Sequence, residues 1–381
     1  MFYNKILKLH YTFVGEKALF CEKVKMKRLI HWSVIFPILA VLFYFGGFVG
    51  QSGWLDFVGG LLLMSSVLAA VHHAEVVAHR VGEPFGTIIL AICITILEVS
   101  LIISLMVAGG EHASTYARDT VFAAIMLILN GIIGVCIWLG GVKYSEQYFA
   151  KTSATTYLVS LVAILVMTLI LPNFTVSASG PHYSTAQLVF VALACLIIYA
   201  TFLMVQTVRH RNYFIEEDDN KSHDDHPKPN IKNAVLSLVF LIVCLAVVVF
   251  MAKALSPVIE DLVKSAGAPQ SLVGVIIAAV VLLPEGLAAI RAARKDQIQS
   301  SLNLALGSAL ASIGLTIPCV AVVCIMYDIP LTLGLDKKSI ILLMLSIFTV
   351  MLSLSRGKTN ILYGVVLLVN LCAYIFYVIV P

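Results

Sequence analysis

Long apolar runs alternate with short polar segments along almost the whole chain. About 20 apolar residues cross a bilayer as a helix. Eleven runs approach or exceed that length: 31–50, 54–78, 85–108, 119–140, 155–172, 186–207, 232–254, 271–291, 299–326, 338–355 and 360–380. The pattern predicts an all-α polytopic membrane protein with one extra N-terminal span followed by two groups of five. The polar segments between the runs are short, apart from a basic tail over 1–30 and a hydrophilic stretch over 208–231.

Composition agrees with this class. Of 381 residues, 60% are hydrophobic and 12% charged, against about 25% charged in soluble chains. Charge then sets an orientation. With the N-terminus inside, the tail and the loops near 80, 143–154, 208–232, 291–298 and 356–358 hold 20 of the 25 lysines and arginines. The opposite loops hold only Arg118, Lys253, Lys264, Lys337 and Lys338. This bias predicts a cytosolic N-terminus, an external C-terminus and an odd number of spans. The tail has no small-residue cleavage pattern after its lysines, so it reads as a cytosolic segment rather than a signal peptide. Met26, in MKRLIHW, offers an alternative start. The eight cysteines show no C-x-x-C pair, and seven lie within apolar runs, where they read as small apolar fillers.

The hydrophilic stretch divides the chain into 54–207 and 232–381, and the two halves resemble one another. Glu75 begins E-V-V-A-H-R-V-G-E-P, and Glu260 begins E-D-L-V-K-S-A-G-A-P. Both read glutamate, six residues, glycine, one residue, proline. An apolar helix follows each, with Glu98 fourteen residues after Pro84 and Glu285 sixteen after Pro269. The next spans match again, L-N-G-I-I-G around Asn130 against A-S-I-G around Ser312. Five spans per half is an odd number, so the second half enters the membrane inverted. Inverted repeats of this kind place a transport site near the midplane.

An ionised carboxylate at mid-bilayer costs at least a few kcal/mol, which makes Glu98 and Glu285 the candidate cation- and proton-binding residues. Two facing carboxylates form a hard-oxygen site. Empty, they repel and are desolvated, which favours protonation. Protons and a cation then compete for the same oxygens, and that competition is sufficient for antiport. Two charges match a divalent ion, whereas one suffices for sodium or potassium. Pro284, beside Glu285, withholds a backbone donor and frees carbonyls for coordination. Asn130, Ser308 and Ser312 are candidates for the rest of the shell, with Thr95 and Ser100 on the glutamate's own span. Each can equally serve as a helix–helix hydrogen bond.

Span 2 ends H-H-A-E-V-V-A-H-R-V-G-E-P, which puts His72, Glu75 and His79 on one helix face. The face can hold a metal ion, but the spacing is not the H-E-x-x-H of zinc peptidases. Glu75 and Glu83 fit an entry vestibule or proton path, or simply a solvated helix end, with Arg80 as topological anchor. Residues 209–230 carry six acids and three histidines. They read either as a solvated linker or as a loose cytosolic cation sensor without EF-hand spacing.

These segments resemble the calcium/cation antiporter superfamily, in its cation/proton exchanger family and bacterial ChaA-type calcium/proton antiporter branch. The resemblance runs from about residue 30 to the end. H-A-E-V-V-A-H-R-V-G-E-P-F-G-T-I-I-L, I-L-E-V-S-L-I, P-E-G-L-A-A-I and N-L-A-L-G-S-A-L-A-S carry it. It implies one span before two inverted five-span repeats joined by an acidic loop, with Glu98 and Glu285 as the cation ligands. The implied activity is exchange of calcium, and also sodium or potassium, for protons, with no enzyme chemistry and no cofactor besides the transported cation. The family usually places G-N before each glutamate. This chain has I-T-I-L before Glu98, L-L-P before Glu285 and Gly286 after it, which leaves open a monovalent-selective antiporter or a sodium-coupled calcium exchanger of the same fold. A channel would need a repeated filter loop, and an intramembrane enzyme a complete metal or nucleophile motif. The sequence supplies neither. It expects protons, cations and lipid as partners, no nucleic acid, and leaves oligomeric state open.

Overall fold

The computed structural model describes residues 32–51, 53–81, 85–108, 113–178, 180–214, 230–267, 269 and 271–380. The tail before residue 32, Glu83 and linker residues 215–229 lie outside them. Each of the eleven apolar runs contains a helix among the described residues. In chain order the helices are α1 (Trp32–Phe45), α2 (Gly53–Val81), α3 (Phe85–Ala108), α4 (Tyr116–Tyr144), α5 (Lys151–Phe174) and α6 (Thr185–Arg209). After the linker come α7 (Ile231–Ser265), α8 (Ser271–Arg294), α9 (Ile298–Tyr327), α10 (Lys337–Leu354) and α11 (Ile361–Ile379). Among the described residues nine helices are long and apolar enough to cross a membrane; α1 is shorter, and in α3 the described apolar stretch is Ile92–Ser104.

Apolar side chains alone do not set where these helices end. Polar caps do. Ser184 and Gln187 form a reciprocal capping box at the start of α6, Asp336 accepts from the first-turn amides of α10, and Asn360 accepts from Tyr363 in α11. A π-helical segment, Leu127–Ile132, interrupts α4. Among the described residues the strand structure is one two-residue antiparallel ribbon, β1 (Gln147–Tyr148) on β2 (Lys358–Thr359).

Hydrogen bonds between loops sort the helix ends into two faces. At one face Lys143 Nζ and Tyr144 OH donate to the Arg294 carbonyl at 2.9 and 3.0 Å, Gln147 Nε2 donates to Asp296 at 2.7 Å, and β1 meets β2. At the other, Thr332 N donates to Ser114 O at 2.9 Å, Leu335 N to Leu169 O at 3.0 Å and Arg118 Nη1 to Gly334 O at 3.1 Å. The first face carries Arg209, Arg211, Arg291, Arg294, Lys295 and Arg356. It is the face that loop charge groups together, and is called the basic face below.

Packing divides into two bodies. The larger joins buried residues of α4, α5, α6, α8, α9, α10 and α11. The smaller joins α1, α2 and α7 with Leu97 and Leu101 of α3 and Val281 of α8. Two helices straddle the seam. On α3, Leu97 and Leu101 belong to the smaller body while Ile102 and Met106 belong to the larger; on α8, Val281 faces one body and Ala278 and Leu282 the other. Outer surfaces stay apolar, with Phe45, Val159, Ile197 and Phe348 all exposed, as a lipid-facing surface requires.

Candidate cation site

Both intramembrane glutamates sit on the helices that straddle the seam. Helices α4 and α9 bridge them, each packing against both α3 and α8. Glu98 lies thirteen residues into α3, about 20 Å along its axis. Glu285 lies nine residues before the end of α8, about 14 Å from the basic face. Both are therefore near mid-depth, as their place in the apolar runs predicts.

Their surroundings differ. Glu98 is 5% exposed and fully engaged: Ser312 Oγ donates to its Oε1 at 2.5 Å and Thr316 Oγ1 to its Oε2 at 3.0 Å. Ser312 and Thr316 are one helical turn apart on α9, so one face of that helix supplies both donors. Glu285 has both carboxyl oxygens buried and no hydrogen-bond partner for either among the described residues. The carboxyl groups of Glu98 and Glu75 each lie close enough to interact electrostatically with it. Helix α8 runs unbroken through Pro284. The expected helix disruption is therefore confined to chemistry: proline has no N–H to offer the Val280 carbonyl four residues earlier.

Of the other candidates, Ser312 is brought onto Glu98. Ser308, one turn earlier on α9, and Ser100 are half-buried, and Thr95 is buried one turn before Glu98. Asn130 is fully buried but turned to a different partner: its Nδ2 donates to Ser346 Oγ of α10 at 2.8 Å, while its Oδ1 is buried without a partner among the described residues. It lies within the π segment of α4, a distortion that recurs at functional sites. Glu75 is exposed six residues before the end of α2, with His79 and Arg291 of α8 in electrostatic reach. The face of His72, Glu75 and His79 does not assemble a metal site, since among the described residues no three His, Cys, Asp or Glu side chains converge. His73 instead stacks on Phe240 at 5.5 Å between centroids, and His72 lies against Trp32. Thr316 and Ser346 were not singled out from the sequence. The spacing S-x-x-x-T on α9 was the available signal for the first; nothing local marks the second.

The sequence model of the sodium/calcium exchanger protein family matches residues 33–208 and 236–380. The chain belongs to this family. Within the family it is 35% identical over 352 residues to the sodium-potassium/proton antiporter ChaA of Escherichia coli, covering 90% of this chain and 94% of that one. It is 44% identical over 306 residues to y4hA of Sinorhizobium fredii, a chain named as a candidate ionic transporter, covering 80% and 83% respectively. The fold matches that of native YfkE with a TM-score of 0.71 at 16% identity, over 92% of this chain and all of that one. The exchanger family is one of ion transporters, and the chain takes its place there as a calcium/cation antiporter of ChaA type, a multi-pass membrane protein.

A first prediction follows from the α9 donors. Hydrogen bonds to a charged group contribute about 1.5–3 kcal/mol each. The double change Ser312→Ala with Thr316→Val removes both from Glu98 and is expected to raise the cation KM at fixed pH by roughly tenfold or more. Ser312→Thr, which keeps a hydroxyl, should restore most of the loss. An unchanged KM in the double variant would detach these hydroxyls from the site.

Proposed function

We propose that this exchanger carries calcium out of the cytosol in return for protons, with cation and protons competing for Glu98 and Glu285. The observation that carries the reading is the inequality of the two carboxyls. Glu285 keeps two buried oxygens with no hydrogen-bond partner among the described residues, while Glu98 is held by two hydroxyls. A carboxylate so placed is costly unless protonated or paired with a cation. A proton or a cation on Glu285 removes that cost, and one excludes the other because both need the same carboxylate oxygens. The Val280 carbonyl, deprived of its helical donor by Pro284, adds a neutral oxygen near the pair, and Asn130 and Ser308 are reserve ligands. Glu75, exposed and closer to the basic face, serves as the entry for cation and proton, with Glu83 beside it in sequence.

The same reading takes eleven spans, a cytosolic N-terminus and an external C-terminus, with α2–α6 and α7–α11 as inverted repeats after the extra span α1. It is supported by the segregation of basic residues to one face and by the parity of the helices. Calcium leads because two carboxylates balance a divalent ion. A second reading, sodium or potassium exchange for protons, is favoured by the 35%-identical relative, whose name specifies those ions. Relatives named as calcium/proton antiporters are 26% identical in Aphanothece halophytica and 23% in Bacillus subtilis.

Everted vesicles energised with a proton gradient decide between them. Addition of calcium is expected to collapse the gradient. Collapse by sodium or potassium alone would replace calcium with a monovalent cargo. Calcium uptake driven by a sodium gradient and indifferent to pH would remove protons from the cycle.

A further inference from the structure

We infer that Glu260 is a second acidic station on the transport path, at the face opposite the basic one, and that the Tyr116 hydroxyl latches that end shut. The inference rests on the proposed role of Glu98 and Glu285 and extends it to the far side of the membrane. Glu260 opens the second copy of the glutamate–glycine–proline motif and so stands where Glu75 stands in the first. The two acids are in opposite states. Glu75 is exposed at the end of α2. Glu260, near the end of α7, is half-buried, accepts from Tyr116 OH of α4 at 2.7 Å and from Ser256 Oγ at 3.4 Å. Tyr116 is 2% exposed and Ser256 1%. The contact spans 144 residues of sequence and ties the smaller packing body, through α7, to the larger, through α4.

A small cleft lies beside this contact. Ser256 and Ile259 of α7 line it beside Glu260; Leu101 of α3 and Val280 of α8 also line it. Leu101 is three residues from Glu98 and Val280 five from Glu285. The cleft therefore lies between α7, which carries the far-face acid, and the two helices that carry the central pair. Its volume is only about 40 Å³ and its walls are apolar apart from Ser256, so it does not pass a hydrated cation while the latch is made. The acid that faces the basic side is exposed, the acid that faces the other side is bonded, and the cleft beside the bonded one is narrow. This is the arrangement of one end open and one end closed. Breaking the tyrosine bond frees the Glu260 carboxylate to receive the cation, or to pass in a proton, as the seam opens on that side.

The test is the accessibility of Ser256→Cys to a membrane-impermeant maleimide, applied in turn to intact cells and to everted vesicles, with the labelling of the unchanged chain subtracted. Adding Tyr116→Phe keeps the ring and removes the hydroxyl. It is expected to speed labelling about tenfold, the worth of a lost hydrogen bond to a charged group, from the face opposite the basic one alone. The cation KM should change at that same face only. A tyrosine that merely staples α4 to α7 would lower thermal stability and leave both side-specific readouts unmoved, which would overturn the latch. Equal changes at both faces would overturn it too. Should Tyr116→Phe fail to insert, Glu260→Gln weakens the same bond from the other partner and is read identically. Glu285→Gln separates the two ideas. If it exchanges normally, the central pair is wrong whatever the labelling gives; if it is inactive while Tyr116→Phe labels like the parent, the latch alone fails.

Discussion

Glu285→Gln is expected to abolish cation-driven collapse of a proton gradient in everted vesicles, and Glu98→Gln to do the same. Glutamine keeps the shape of the side chain, so neither substitution needs to disturb packing. At position 98 the amide still offers an oxygen to Ser312 or Thr316. At position 285 no other side chain among the described residues is hydrogen-bonded to the carboxyl. What each removes is one negative charge and one exchangeable proton. A single charge at 4 Å contributes roughly 4 kcal/mol at an effective dielectric of 20. Losing it should weaken cation binding by roughly three orders of magnitude, and a divalent ion is penalised more than a monovalent one. The glutamine also cannot take up the counter-ion proton, so residual binding would not support exchange. Vesicles carrying equal amounts of inserted protein provide the comparison. Normal exchange by both glutamine variants would sink the assignment of the site; normal exchange by one would reduce it to a single-carboxylate, monovalent mechanism.

Charge placed against a background of lipid-like sequence explains why these two residues were legible. In α3 and α8 the hydrophobic run is long enough that an acid near its centre has no route to water along its own helix. Most span limits were legible for a similar reason, and 85–108 coincides with α3, but the run 232–254 stops well short of the end of α7 at Ser265, which takes Lys253 and Lys264 into the helix rather than a loop. What the sequence did not carry was rotation of one helix relative to another. Helices α4 and α11 are both strongly apolar, yet 78% of the apolar window is buried in the first and 17% in the second. Lipid is as apolar as the protein interior, so no polar stripe marks the exposed face. Ser312 was found because it matched Asn130 in the repeat. Yet those two matched residues have different partners, one on Glu98 and the other on Ser346. Internal similarity located the positions; side-chain pairing broke the symmetry. The Tyr116–Glu260 bond was invisible for the same reason, since its partners come from helices whose relative rotation no local pattern encodes.

Close backbone approach sets the rotation of α4, and Gly364→Ala is expected to destabilise the protein strongly. A methyl group at Gly364 of α11 would lie 2.5 Å from the Trp138 nitrogen, 2.8 Å from its Cα and 2.9 Å from the Gly134 carbonyl oxygen of α4. These are backbone atoms of a buried helix, and no rotamer change relieves them. Small residues at such crossings let membrane helices approach, since burial from water gives them little drive to associate. Gly134 and Gly141 on α4 meet Leu367 and Ile361 of α11 along the same contact. Overpacking of this kind costs typically 1–3 kcal/mol, and the unyielding backbone places Gly364→Ala at about the upper end. Displacing α11 would also shift α4, which carries Asn130 and Tyr116 and packs against both glutamate helices. Gly60→Ala on α2 is the control: no atom lies within 4 Å of the added methyl, and loss of a helical glycine is worth up to about 1 kcal/mol in the stabilising direction. Thermal unfolding of the purified proteins in detergent compares them. Gly364→Ala should melt well below the parent and Gly60→Ala at or above it. A Gly364→Ala protein as stable as the parent would mean that α4 and α11 separate at little cost, and that something other than this crossing holds the wall of the site.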